Sequence, residues 1–193
     1  MLIKQFSPIR TGSTLIYNFI KRCDRPVSKL HNLEGVQSWV VSTIRHPYNS
    51  IISAILRLEK PIDSESLKYC TNEYLGQGGR DFLKLPNKSI VLRYEDFTQY
   101  PWDAFSFLNQ KLELGKTPEE LESLVQELSL DNMLKIQSKH ENFMTWDKET
   151  QIHGNHISKY RGKTNWKEIL SSSQIEYLQT FPELNQIIEK YYQ

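Results

Sequence analysis

The chain has 193 residues, of which 24 are Lys or Arg and 23 are Asp or Glu, so its formal net charge is +1. This balance argues against a nucleic-acid partner, because such proteins normally carry a strongly basic field. Hydrophobic residues make up 38% of the chain, and no apolar run approaches the roughly 18 residues of a membrane span. We therefore expect a single globular domain over residues 1–193 with no membrane span.

The first residues and the two cysteines favour a cytoplasmic location. The chain passes directly from Met1 into a predicted strand, which leaves no room for a signal peptide. Cys23 and Cys70 form neither a CxxC pair nor a disulfide framework. This usage is typical of a reducing compartment.

Short predicted strands alternate with predicted helices. The strands are Leu2–Phe6, Pro26–Leu30, Ser38–Ile44 and Ser89–Tyr94. The helices are Ser13–Arg22, Tyr48–Leu58, Ser64–Leu83, Trp102–Lys111, Pro118–Leu128, Gln174–Thr180 and Pro182–Tyr192. This order predicts an α/β protein, a three-layer sandwich with a central parallel sheet.

Two of the helices begin with capping sequences, and one long segment shows no periodic pattern. Thr117 is the expected N-cap before Pro118, and the sequence from Ser173 to Glu176 predicts a capping box. The polar segment 139–167 is a predicted loop that holds three of the five histidines. A loop of this length in a compact domain is usually functional or mobile.

A candidate anion-binding turn follows the first strand. Residues 7–14 contain a glycine and lead into an apolar helix. In α/β proteins such a turn holds phosphate or sulfate, because free backbone N–H groups and the positive end of the helix dipole converge there. The donors are Arg10, Thr11, Gly12, Ser13 and Thr14. The alternative interpretation is an ordinary turn with a hydroxyl N-cap, and the Walker sequence GxxxxGK[ST] is absent.

A second candidate site follows the third strand. Arg45 stands at the carboxyl end of this strand, where open α/β sheets bind their ligands. Pro47 is placed to begin a helix, and Ser53 then lies about two turns into it. The spacing fits a second anion held by Arg45 and Ser53. The alternative is a surface arginine and a serine without a role.

Four segments, taken together, resemble the sulfotransferases that use 3′-phosphoadenosine 5′-phosphosulfate (PAPS). Arg10–Thr14 resembles the 5′-phosphosulfate loop of that family, commonly P-K-S-G-T-T-W, and Arg45–Ser53 resembles its 3′-phosphate motif. Arg93–Phe97 resembles the R-Y-E-D-L that ends a later strand, and Arg161–Lys167 resembles the late R-K-G loop. The resemblance implies a P-loop NTPase-like sulfotransferase fold, the cofactor PAPS, the product PAP and no metal.

The sequence departs from the family pattern at three places. The lysine of the first loop is Arg10 here, which keeps the charge but changes the donor geometry. The aromatic residue after that loop is Leu15. The late loop lacks its second glycine and is one residue shorter between Gly162 and Trp166.

The resemblance also implies which residues bind the cofactor. Tyr94 would reach the adenine edge, and Leu130 stands where relatives often carry an adenine-stacking phenylalanine; the alternative for both is a place in the core. The implied cofactor-binding set is Arg10, Thr11, Gly12, Ser13, Thr14, Arg45, Ser53, Tyr94, Leu130, Arg161, Gly162 and Lys163.

The catalytic base is expected just after the second strand. Lys29-Leu30-His31 is similar to the K-x-H of cytosolic sulfotransferases, in which the histidine is the base and the lysine lies by the sulfuryl group. An imidazole suits this task because its pKa lies near neutrality. The predicted catalytic residues are His31, Lys29 and Arg10. The rival bases are Glu34, His140, His153 and His156, whereas His46 is expected to be structural.

The sequence thus predicts an enzyme that transfers a sulfuryl group from PAPS to a hydroxyl or amine of a small-molecule or carbohydrate acceptor. Two alternatives stay open at this point. One is a nucleotide or nucleoside kinase with residues 10–14 as a degenerate P-loop, and the other is a nucleotide-binding module without turnover. The identity of the acceptor and the oligomeric state are not encoded in any motif.

Overall fold

The computed structural model describes residues 2–30, 33, 36, 38–157 and 164–193. Its sheet has four parallel strands in the order β2-β1-β3-β4, namely β1 (Ile3–Gln5), β2 (Val27–Lys29), β3 (Val40–Ile44) and β4 (Ser89–Arg93). The helices are α1 (Ser13–Arg22), α2 (Pro47–Arg57), α3 (Ser64–Tyr74), α4 (Arg80–Phe82), α5 (Tyr94–Gln99), α6 (Pro101–Lys111), α7 (Pro118–Glu127), α8 (Leu130–Gln137), α9 (Trp166–Ile169), α10 (Ser172–Gln179) and α11 (Pro182–Tyr192). The predicted α/β class with a central parallel sheet is confirmed.

Helices cover both faces of this sheet, which gives three layers. Every residue of β3 is buried, as expected for a central parallel strand. Successive side chains of a strand point to opposite faces. Val40 accordingly packs with α2, α3, α10 and α11, whereas Val41 packs with α1, α6 and α7.

The strand order creates a crevice between β1 and β3. From β1 the chain runs through α1 to β2 on one side, and it then returns across β1 to β3 on the other side. In open α/β sheets ligands bind outside the carboxyl ends of the strands at such a reversal. The residues that follow Gln5 and Ile44 are therefore placed at the expected ligand site.

The predicted helix 64–83 is wrong as a single element. The helix ends at Tyr74, and a break at Gln77 and Gly78 separates it from α4. Gly78 has φ +105°, and a Cβ on it would lie 3.3 Å from both the Phe6 ring and the Pro8 Cα. At the break, Gly78 has no side chain and packs closely against Phe6 and Pro8, which lead from β1 into the candidate anion loop.

Three short helices were not predicted, and one cap was misplaced. α5, α8 and α9 have six, eight and four residues. Thr117 forms the predicted cap, with Glu120 completing a capping box. The cap of α10 is Ser171 with Gln174, however, not Ser173 with Glu176. Within the part of the chain that the structure describes, no helix has the length and apolar character needed to cross a membrane.

Candidate active site

The loop after β1 has an unusual backbone that exposes a helix terminus. Arg10 and Gly12 adopt the left-handed conformation, with φ of 63° and 76°. α1 begins directly after Gly12, and no described side chain caps it. Because the first amides of a helix lack partners within the helix, this terminus offers free donors to an anion. A non-glycine residue at positive φ is typical of functional sites.

Gly12 lies in close contact with the start of α5. A Cβ on this residue would approach the Phe97 ring to 2.8 Å and the Tyr94 ring to 2.9 Å. Only glycine fits both the backbone angle and this space. The contact places the predicted adenine-edge residue Tyr94 beside the candidate anion loop.

The hydroxyl of Thr11 is used inside the loop. The residue is 1% exposed, and its Oγ1 donates a hydrogen bond to the Pro8 carbonyl at 2.9 Å. The same oxygen lies 2.8 Å from Oγ1 of Thr43 in β3, whose backbone N–H donates to Ser7 Oγ at 2.8 Å. These bonds fix the loop to β3, and they leave the backbone of Thr11, not its side chain, to face a ligand.

Arg10 joins three parts of the molecule. Its Nε donates to Ser53 Oγ of α2 at 3.3 Å, and its Nη1 donates to the carbonyl of His156 at 3.0 Å. Burial lowers the pKa of Arg10 to about 10, and the nearby Arg57 and Arg45 guanidinium groups contribute to this lowering. Arg10 therefore stays charged at neutral pH in a site that already contains two other cations.

Arg45 is buried at the carboxyl end of β3. The residue is 8% exposed, its guanidinium lies 4.5 Å from the centre of the Tyr94 ring, and its Nη2 donates to Thr164 Oγ1. Its Nε is buried without a hydrogen-bond partner among the described residues. Burial lowers the pKa of Arg45. A buried guanidinium with an unused donor is suited to an anionic ligand.

The late segment returns to the start of α2. Trp166 stacks on the His46 ring, with centroids 5.3 Å apart, and its backbone N–H donates to Asn49 Oδ1 at 3.0 Å. Burial lowers the pKa of His46 to about 4, and Lys167 adds to this effect. His46 is thus a neutral packing residue, in line with its predicted structural role. Arg161, Gly162 and Lys163 lie outside the described residues, immediately before Thr164.

Lys29, the last residue of β2, reaches the first turn of α1. Its Nζ donates to Thr14 Oγ1 at 3.3 Å and lies 5.0 Å from the Tyr17 ring centre. Burial lowers the pKa of Lys29 to about 8. The lysine is therefore positioned next to the candidate anion loop. The predicted base His31 and its rival Glu34 lie outside the described residues.

The core alternative is wrong for Leu130. This residue begins α8 and is 45% exposed. Tyr94 is half-buried between Arg45 and Phe97. Both side chains thus retain exposed surface that an adenine ring could contact.

The charge of the site is distinctive. Among the described residues, Arg10, Arg45 and Lys29 form no ion pair with a carboxylate. Arg45 is buried, and Arg10 and Lys29 are half-buried. Unpaired cations in such positions are costly, so their convergence at the carboxyl ends of the strands points to a bound anion. The described residues contain no group of three or more His, Cys, Asp or Glu that could hold a metal ion.

Sequence reasoning missed Arg57 and Thr164, and it named His156 only as a rival base, not as a contact of the anion loop. Arg57 lies one helical turn beyond Ser53, and this spacing could have revealed it. His156 and Thr164 contact residues 142 and 119 positions away in the chain. No local pattern in the sequence could have indicated those two contacts.

Comparisons with known proteins agree with this architecture. The structure superimposes on mouse sulfotransferase SULT7A1 complexed with PAP with a TM-score of 0.66 and 13% identity, over 100% of this chain and 85% of that one. Retinol dehydratase in complex with androsterone and the inactive cofactor PAP gives a TM-score of 0.67 and 9% identity, over 100% of this chain and 82% of that one. No protein-family model and no curated protein sequence matches the chain. The chain has the fold of the PAPS-dependent sulfotransferases.

Proposed function

We propose that this protein is a sulfotransferase that uses PAPS as the sulfuryl donor and releases PAP. One observation carries the proposal. Arg10 from the β1 exit and Arg45 from the β3 exit converge at the reversal of strand order, and Arg10 donates to Ser53 on the helix that follows Arg45. A ligand with phosphate-like groups at both ends matches two such cationic sites.

The residues of the first site suit the 5′-phosphosulfate. Arg10 would bind its oxygens, and the amides of Gly12, Ser13 and Thr14 would donate from the uncapped start of α1. The Ser13 hydroxyl adds a donor. Thr11 contributes through its backbone, because its hydroxyl is already bonded to Pro8.

The residues of the second site suit the 3′-phosphate. The Nε of Arg45, which has no partner among the described residues, and the hydroxyl of Ser53 are the donors on this side. Arg161, Gly162 and Lys163 would join them, since Thr164, the next residue, already contacts Arg45. Tyr94 and the exposed Leu130 would contact the adenine.

The reaction then requires a base and a cation at the transferring group. PAPS, when bound, supplies the sulfuryl group, which passes to a hydroxyl or amine of a small-molecule or carbohydrate acceptor. His31 would take the proton of the acceptor, with Glu34 as the rival base. Lys29 and Arg10 would stabilise the charge on the sulfuryl and leaving phosphate oxygens. Positioning and charge stabilisation dominate related phosphoryl transfers.

Thermal unfolding with PAP, ATP or NAD tests the cofactor class. At a concentration of 100 Kd, PAP should stabilise the protein by about 2.7 kcal/mol, which raises the Tm by roughly 5–10 °C for a chain of this size. Arg45→Gln should remove most of this shift. Arg80→Gln, which changes an exposed arginine paired with Glu183, should keep it.

Each other outcome has a defined meaning. Stabilisation by Mg²⁺-ATP but not by PAP would overturn the proposal in favour of a kinase. A shift with PAP that Arg45→Gln leaves unchanged would overturn the assignment of the 3′ site. Binding of PAPS with no sulfuryl transfer to a broad acceptor panel would indicate a binding module.

A further inference from the structure

A chain of hydrogen bonds links His156, in the predicted loop segment 139–167, to the candidate catalytic residue Lys29. Lys29 Nζ lies 3.3 Å from Thr14 Oγ1, and the same oxygen lies 3.1 Å from Nε2 of His156. The carbonyl of His156 accepts from Arg10 at 3.0 Å. His156 therefore contacts Arg10 directly and Lys29 through Thr14.

Donor and acceptor counting favours one direction for this chain of hydrogen bonds. A lysine ammonium has donors only, so Lys29 donates to the Thr14 oxygen. The Thr14 hydroxyl has one proton, and His156 is its remaining described contact. If Thr14 donates to Nε2, only the Nδ1–H of His156 is left without a described partner, whereas if Nε2–H donates to Thr14, both the Thr14 proton and the bare Nδ1 lack one. The first arrangement satisfies more groups, and it makes Nε2 the bare nitrogen of a neutral imidazole with the ring proton on Nδ1.

The surrounding charges keep the imidazole neutral. Burial lowers the pKa of His156 to about 3, with Arg10 and Lys29 as the largest charged contributors and His153 and Arg57 as further ones. A protonated ring could not accept from Thr14, and it would add a fifth cation to the site, beside Arg10, Arg45, Arg57 and Lys29. The hydroxyl oxygen of Thr14 thus stays available as an acceptor for Lys29.

We propose that His156 is a positioning residue that holds Lys29 in the site through Thr14. The imidazole accepts the Thr14 proton and so turns a hydroxyl lone pair toward the ammonium group. One N–H of Lys29 is then held by Thr14, and the other two face the sulfuryl oxygens. This role rests on the proposed function, and it gives the segment that contains His156 a part in orienting Lys29.

Paired binding measurements with PAPS and PAP test this role without an acceptor. PAPS carries the sulfuryl group that Lys29 would contact, and PAP lacks it. His156→Phe keeps an aromatic ring and the backbone carbonyl but removes the acceptor. It should raise the Kd of PAPS about tenfold, as expected for a lost hydrogen bond to a charged group, and change the Kd of PAP less than twofold.

Two further variants separate positioning from folding. His156→Gln retains an acceptor oxygen near the place of Nε2 and should restore most of the PAPS affinity. In a Thr14→Val background His156→Phe should cause no additional loss. Lys148→Gln, which changes an exposed side chain in the same segment but outside these hydrogen bonds, is the control and should bind both nucleotides like the wild type.

The outcomes distinguish the two proposals. Equal weakening of PAPS and PAP by His156→Phe, or additive losses with Thr14→Val, would overturn the positioning role while leaving the sulfotransferase proposal standing. A wild type that binds neither nucleotide would overturn both. Imidazole ¹⁵N NMR gives an independent check, because the proposal requires the proton on Nδ1 of His156, and a proton on Nε2 would contradict it.

Discussion

At the scale of single residues, the site depends on backbone positions as much as on charged side chains. The positive φ at Arg10 and Gly12 turns the chain so that α1 begins with its amides uncapped. Arg10 adopts a backbone conformation that non-glycine residues usually avoid. The side chain gains in return the contacts to Ser53 and His156.

Gly12→Ala tests the close approach of this turn to α5. The new methyl would meet the Phe97 and Tyr94 rings at under 3 Å, in addition to the strain at φ +76°. We expect a loss of about 2–4 kcal/mol in the free energy of unfolding, measured by urea denaturation, together with weaker PAP binding.

Gly115→Ala is the matched control for that change. Gly115 has the same φ of +76°, but nothing lies within 4 Å of the place that its new methyl group would occupy. It should lose only the backbone strain, about 1–2 kcal/mol, and should bind PAP normally. Equal losses in the two variants would show that the contact of Gly12 with α5 is unimportant.

The charged residues of the site were easier to predict than their partners. Arg10 and Arg45 follow strands closely, and parallel strands bring their carboxyl ends to one edge. The neighbours His156 and Thr164 come from a segment with no periodicity. Their places are set by tertiary contacts, which a local pattern does not encode.

At the scale of elements, hydrogen bonds hold the segment around residues 149–156 against α1. The buried Asn18 donates from Nδ2 both to the Thr14 carbonyl at 2.9 Å and to the Thr150 carbonyl at 2.8 Å. Lys21 and Arg22 extend this contact to Glu149. These contacts place α1 next to the segment in which His156 lies.

Asn18→Leu should release this loop while keeping a side chain of similar shape. Two buried carbonyls would lose a donor, and we expect a cost of about 2 kcal/mol in unfolding free energy. Hydrogen exchange should increase over residues 147–154, and PAP affinity should fall because Arg10 loses its fixed neighbour.

Asn109→Leu is the comparison variant. Asn109 also makes two hydrogen bonds, with the Lys116 backbone between α6 and α7. Its removal should lower stability by a similar amount but leave exchange at 147–154 and PAP affinity unchanged. If Asn18→Leu behaved in the same way, the loop would not depend on α1.

Elements with a clear periodic pattern were predicted best. The strands β3 and β4 and the amphipathic helices α1, α2 and α11 were predicted close to their observed bounds. α8 has only eight residues and was missed, although Leu130, Met133 and Leu134 follow the helical spacing i, i+3, i+4. The break at Gly78 was missed although Gly76, Gly78 and Gly79 are a local helix-breaking signal in the sequence. The close approach to Phe6 and Pro8 is a further reason for glycine at position 78.

At the scale of the whole molecule, the burial of histidines makes the stability of the fold depend on pH. Two histidines are held neutral, with pKa values lowered by burial to about 4 for His46 and about 3 for His156. An unfolded histidine has a pKa near 6.5 and takes up a proton well before these folded ones. The unfolded state therefore binds more protons than the folded state between about pH 6.5 and 4.

Stability should consequently be complete above about pH 6.5 and decline as the pH falls toward 4. Each histidine contributes up to about 1.4 kcal/mol per pH unit in this window, so we expect a loss of about 2–3 kcal/mol between pH 6.5 and 5 by urea denaturation. Carboxylates with lowered pKa values, such as Asp63 and Asp147, act only at lower pH. His46→Phe keeps the stacking on Trp166 and removes a buried Nδ1 that has no described partner. It should halve the loss, and an unchanged pH dependence would show that His46 is protonated in the folded protein.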